Sequence, residues 1–155
     1  ILKTGAVSSA QLQIKKDVPM NQGGCLSGEV RYQYDPKCTE VAFHCHCKDC
    51  QRVTGSGKAT VVMFAASAVH ISGRYKTYAS MGTDNSHIKR GFCPNCGSQM
   101  FTFVQEIPNM LFIKAGTFDT SEWLNVQLNC WESSAAPWLL PDHLIPGVEK
   151  NPPAS

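Results

Sequence analysis

Residues 87–104 read His87-Ile88-Lys89-Arg90-Gly91-Phe92-Cys93-Pro94-Asn95-Cys96-Gly97-Ser98-Gln99-Met100-Phe101-Thr102-Phe103-Val104. A short strand is expected on either side of a tight Cys-x-x-Cys turn. Pro94 fixes one φ and Gly97 permits a positive one, so the loop can turn sharply and aim its N–H groups at both sulfurs. Two sulfurs at this spacing can occupy two corners of a tetrahedron around zinc, with Zn–S near ~2.3 Å. The rival reading is a redox Cys-x-x-Cys. Such motifs follow a strand in a βαβ setting, which the flanking sequence lacks. A strand, a metal knuckle and a strand point to a β-protein built around thiolates.

The neighbouring segments extend the pattern. Glu29 to Tyr34 alternates, with Val30, Tyr32 and Tyr34 on one face and Asp35-Pro36 closing the strand. Val41–Cys45, Ala59–Ala65, Val69–Ile71, Tyr75–Ala79 and His87–Phe92 read as further short strands. Gln99–Val104 and Met110–Ala115 form an expected hairpin, and Val126–Trp131 a last strand. Cys47 to Arg52 is expected to make a helical turn ended by Thr54–Gly57. The fold class is therefore all-β and antiparallel. The expected organisation is an N-terminal arm at 1–20, a zinc-binding domain at 21–141 and a Pro-rich tail wrapped on the surface at 142–155.

The bulk numbers narrow the function. The chain has 155 residues, 43% hydrophobic and 17% charged, which suits one domain. With 14 basic and 12 acidic residues the net charge is +2, too small to argue for nucleic acid or a membrane surface. No apolar run approaches the ~20 residues of a membrane helix. Nor does Ile1 open onto a signal-peptide pattern, and a chain starting at Ile suggests a trimmed N-terminus. Eight cysteines could form a disulfide framework. But Cys45, Cys47 and Cys50 crowd together, and Cys93 and Cys96 form a pair. Clustering of this kind favours thiolate–metal binding and a reducing compartment, with the cytoplasm the expected location.

The knuckle supplies two ligands, and a closed site needs two more. Cys25, among glycines, and the Cys45–Cys50 cluster are the candidates. Three thiolates curled around one ion leave an open corner, which a catalytic zinc requires. Other residues receive ordinary readings. His44 and His46 are expected on one face, opposite Cys45 and Cys47. Cys38 and Cys130 are expected to be buried thiols, Lys89-Arg90 a solvated pair, and Trp131 and Trp138 packing residues. Asp49 is expected to cap the helical turn or to support the cluster.

Several motifs occur in order: Gly-Gly-Cys-x-x-Gly-x-Val-Arg-Tyr at 23–32, Cys-His-Cys-x-x-Cys at 45–50, Thr-Gly-Ser at 54–56, Phe-Cys-Pro-x-Cys-Gly-Ser at 92–98, Ala-Gly-Thr at 115–117 and Ser-Ala-Ala-Pro-Trp at 134–138. Together they resemble the glutathione-dependent formaldehyde-activating enzyme family, which also includes centromere protein V. The resemblance spans about residues 22–140. It implies a β-tent fold, two small antiparallel sheets meeting at a zinc site. It implies a structural zinc on Cys25, Cys93 and Cys96, and a catalytic zinc on Cys45, Cys47 and Cys50. The family's fourth structural sulfur falls at Ser27 here, and a serine hydroxyl is a poor zinc ligand. Either a cysteine of the 45–50 cluster closes that site, leaving one zinc instead of two, or the site is weaker than in relatives. The implied function is that of a zinc-dependent carbon–sulfur lyase acting on glutathione or a similar thiol adduct, with glutathione as co-substrate. The rival readings are a non-catalytic zinc module for macromolecular interaction and a relative recruited to another small-molecule reaction.

Overall fold

The computed structural model describes residues 19–153. Apart from Pro19 and Met20, the N-terminal arm expected at 1–20 lies outside the described residues. Ten strands and one α-helix follow among the described residues: β1 (Asn21–Gly24), β2 (Arg31–Tyr34), β3 (Thr39–Cys45), α1 (Lys48–Thr54), β4 (Ala59–Ala65), β5 (Val69–Ser72), β6 (Lys76–Met81), β7 (His87–Phe92), β8 (Gln99–Val104), β9 (Met110–Lys114) and β10 (Leu128–Cys130). The chain is mostly β, as its alternation implies.

Two unequal sheets form. The smaller has the order β1-β2-β5 and the larger β10-β3-β4-β9-β8-β7-β6. Every pairing is antiparallel except that of β10 with β3, where Cys130 lies opposite Cys45. The expected all-β class of small antiparallel sheets holds, with this one parallel pair added. After β9 the chain crosses the domain through residues 115–127, so β10 enters the sheet edge in the direction of β3.

Side-chain alternation on the larger sheet builds two distinct faces. Ala42, Val62, Ile113 and Phe101 form a continuous cross-strand row and face the core. The smaller sheet covers them with Val30, Tyr32 and Tyr34, all buried. Aromatic edges meet between the sheets: Tyr32 and Phe101 rings lie 5.5 Å apart, and Tyr34 and Phe118 rings 4.8 Å. Tyr32 Oη lies 2.7 Å from Thr117 Oγ1, so this buried hydroxyl has a partner. The adjacent register rows, Phe43–Val61–Lys114 and Val41–Met63–Phe112, point the other way.

The C-terminal segment is more than a surface wrap. Residues 146–150 run beside β10 through Asn129 N–H to Pro146 O (2.8 Å), Val148 N–H to Asn129 O (2.9 Å) and Trp131 N–H to Lys150 O (3.0 Å). No helix among the described residues is long and apolar enough to cross a membrane.

Candidate metal centre

The knuckle between β7 and β8 takes the expected turn. Gly97 adopts φ +75°, Gly97 N–H bonds Cys93 O at 2.9 Å, and Cys93 N–H bonds Ser98 O at 3.0 Å. Between β1 and β2, Gly28 at φ +80° turns the chain back, and Cys25 N–H bonds Val30 O at 3.0 Å. These two loops, far apart in sequence, bring the sulfurs of Cys25, Cys93 and Cys96 within 4.8 Å of one another. Ser27 Oγ sits 3.3 Å from Cys25 Sγ and 3.7 Å from Cys93 Sγ. Ser98 Oγ lies 3.3 Å from Cys96 Sγ. Two hydroxyls therefore lie against this group, and Ser27 is the one at the position of the family's fourth sulfur.

The sulfurs of Cys45, Cys47 and Cys50 form a second group, also within 4.8 Å of one another. Cys45 ends β3, and Cys47 caps the N-terminus of α1, its sulfur accepting from Cys50 N–H at 3.4 Å. Helix α1 puts Cys50 one turn on. Gln51 Nε2 ties the helix to His46 O at 2.7 Å and to Ser134 O at 2.8 Å.

The donor chemistry fits a soft or borderline cation in both places. Hydrogen bonds from Cys45 and Cys50 pull the Cys47 thiol far below its ordinary pKa, and the same bonds push Cys45 up. Burial raises the Cys25 thiol, but Ser27, the Val30 N–H and Cys93 outweigh it and its pKa ends lowered. The Cys96 thiol is lowered to about 5, chiefly by Ser98. Three thiolates this close cannot all ionise without a positive charge among them. All eight cysteines are free thiols, so neither group is tied up in a disulfide.

The second group opens onto a cavity. A pocket of about 390 Å³ is lined by Cys45, Cys47 and Cys50, and none of Cys25, Cys93 and Cys96 reaches it. Its floor is the outward face of the larger sheet, including Phe43, Val61, Met63, Phe112 and Lys114. Cys45 shares the outward phase of Phe43, while His44 points away and bonds Thr60 Oγ1 at 2.9 Å. His46 is fully buried, and neither ring nitrogen has a hydrogen-bond partner among the described residues.

Two ordinary readings are corrected. Cys38 is exposed, beside Asp35. Arg90 is only 8% exposed. It bonds Ser80 Oγ at 2.6 Å and Asp49 Oδ2 at 3.4 Å, and it lines the cavity. Strand alternation explains this: adjacent residues take opposite faces, so Lys89 is exposed and Arg90 is not. Trp131 packs as expected, yet it also borders the cavity. Lys114 was missed altogether. The Met110–Lys114 alternation, with Met110, Phe112 and Lys114 in one phase, carries its signal.

A sequence model of the glutathione-dependent formaldehyde-activating enzyme family matches residues 20–134. Among solved structures, the fold resembles a crystal structure of a Rhodobacter sphaeroides protein. Identity is 18%, the TM-score is 0.51, and the match covers 82% of this chain and 99% of that one. No curated protein sequence matches.

Proposed function

The chain belongs to the glutathione-dependent formaldehyde-activating enzyme family, and from that membership we propose a zinc-dependent enzyme of carbon–sulfur lyase type acting on a small thiol and an aldehyde. In this reading Cys25, Cys93 and Cys96 hold a structural ion, and Cys45, Cys47 and Cys50 hold a second ion at the reaction site. The observation that carries it is the opening of the second sulfur group, and not the first, onto the cavity. The separation of the two sulfur groups supports this reading over one in which a cysteine of the 45–50 group closes the Cys25 group.

Bound zinc supplies positive charge that favours a thiolate over a thiol. The chain's own residues do the rest. The outward face of β3, β4 and β9 supplies apolar walls that exclude water. Arg90 and Thr83 hold Asp49 at the cavity lining, Thr83 Oγ1 lying 3.4 Å from Asp49 Oδ2. In the reaction, the substrate sulfur adds to the carbonyl carbon, a C–S bond forms as the C=O π bond opens, and the thiol proton ends on the new hydroxyl. The reverse breaks the C–S bond and returns thiol and aldehyde. The thiolate clusters work only when reduced, which supports a reducing compartment such as the cytoplasm.

The test is zinc per chain by elemental analysis on the parent and on Cys47→Ser, paired with NMR exchange between formaldehyde and its glutathione adduct. The parent is expected to carry two ions and to exchange above the buffer rate. Cys47→Ser is expected to stay folded, keep one ion and fall to the buffer rate. A parent with a single ion, lost together with the fold in Cys47→Ser, would sink this assignment.

A further inference from the structure

Four charged side chains, Asp49, Asp84, Arg90 and Lys114, line the cavity beside the Cys45 group. Three are engaged. Arg90 bonds Ser80 and Asp49, and Asp84 accepts from Ser86 N–H at 3.1 Å and from Asn151 Nδ2 at 2.9 Å. Lys114 has no side-chain hydrogen bond or ion pair among the described residues. It rises from a floor of Phe43, Val61 and Phe112, where burial disfavours an ammonium. The sulfurs of Cys50, Cys45 and Cys47 favour that ammonium and Arg90 opposes it, and a cation on an apolar floor with no hydrogen-bonded partner still costs free energy that a ligand anion lowers.

We propose that the cavity takes an apolar monocarboxylate bearing sulfur, a thiol or its aldehyde adduct, with the carboxylate on Lys114 and the sulfur at Cys45, Cys47 and Cys50. This rests on the thiol–aldehyde reading above and narrows its substrate. Lys114 lies opposite Val61, which lies opposite Phe43, two residues before Cys45. Lys114 and Cys45 thus rise from strands two apart, whose backbones stand about 10 Å from each other at ordinary spacing. A chain of about six carbons spans that gap, and Val61, Met63 and Phe112 cover its length. Glutathione fits this lining less well. It has two carboxylates, an ammonium and two peptide groups, and the cavity offers one free cation and mostly hydrocarbon. Desolvating the unmatched polar groups opposes binding.

The test is calorimetric binding to zinc-loaded protein, with 6-mercaptohexanoate, hexanethiol, hexanoate and glutathione as probes, on the parent and on Lys114→Met. Methionine keeps the length and apolar stem of lysine, and thermal unfolding checks the variant's fold. In the parent, 6-mercaptohexanoate is expected to bind about tenfold or more tighter than hexanethiol, as a charge-assisted hydrogen bond gives, and tighter than glutathione. Lys114→Met is expected to erase the margin over hexanethiol and leave hexanethiol itself unchanged. Tighter binding of glutathione, or an unchanged margin in Lys114→Met, overturns the proposal. Hexanoate binding as tightly as 6-mercaptohexanoate, with that binding lost in Lys114→Met, would uphold the carboxylate subsite and sink the thiol reading beneath it.

Discussion

Ser27 stands where a sulfur would complete the Cys25 group, and its hydroxyl faces both Cys25 and Cys93. A neutral hydroxyl is a weaker zinc donor than a thiolate, so an ion on this group would have three strong ligands and one weak one. Replacing the oxygen by sulfur at the same Cβ keeps the direction and adds a thiolate. Ser27→Cys is expected to slow zinc loss to a chelator by about tenfold or more, the scale of one added strong metal contact. The check is the release rate measured with a zinc-sensitive dye. An unchanged rate would mean that Ser27 is not the fourth position. The family resemblance made Ser27 conspicuous, but it left open whether Cys45, Cys47 or Cys50 fills the gap. The fold sets the two sulfur groups apart, and spacing carries no distance between residues so far apart in sequence. Lys114 shows the same divide: its phase in the strand is legible, yet its value depends on what lies across the cavity.

At the scale of elements, two glycines serve by different means. Gly55 caps α1 at φ +65°, its N–H bonding Gln51 O at 2.9 Å, with nothing near its missing Cβ. Gly55→Ala therefore meets only the left-handed backbone penalty, about 1–2 kcal/mol. Gly23 in β1 has ordinary φ, but a Cβ there would stand 2.3 Å from the Tyr32 ring and 2.5 Å from Thr117 O. Both neighbours are held, Tyr32 by the core and Thr117 by its bond to Lys114 O at 2.7 Å. Gly23→Ala forces a backbone shift, about 1–3 kcal/mol and toward the upper end. Urea unfolding of both variants is expected to rank Gly23→Ala as the more destabilised, with zinc content unchanged in Gly55→Ala. The reverse order would contradict the packing at β1. The helical turn after Cys47 was legible from its local chemistry. β1 was not, because four residues with two glycines lack strand propensity, and its strand state comes from pairing with β2.

Across the whole molecule, the C-terminal segment joins distant parts of the cavity rim. Trp131 takes φ +60°, and its Nε1–H donates to Asn151 Oδ1 at 2.7 Å. Asn151 Nδ2 then donates to Asp84 in the loop between β6 and β7. Asn151→Ala removes both bonds, so amides at 146–151 are expected to exchange hydrogen faster while β4 and β9 keep their rates. Stability should fall by about 1–2 kcal/mol. Unchanged exchange at 146–151 would show that the segment is held by its bonds to β10 alone. The prolines at 141, 146, 152 and 153 announced irregular backbone, but nothing in them told where that backbone docks. The sequence by itself determined the strands other than β1, the Cys93–Cys96 knuckle and the Cys45–Cys50 group, because alternation, a fixed φ at Pro94 and a positive φ at Gly97 are properties of adjacent residues. Only the tertiary structure decided that Cys25 joins the knuckle, that β10 runs parallel to β3, and that Lys114 and Arg90 share a cavity with Cys45. Those relations depend on which strands pair and in what register, and register is settled by the burial of one whole sheet face against the other.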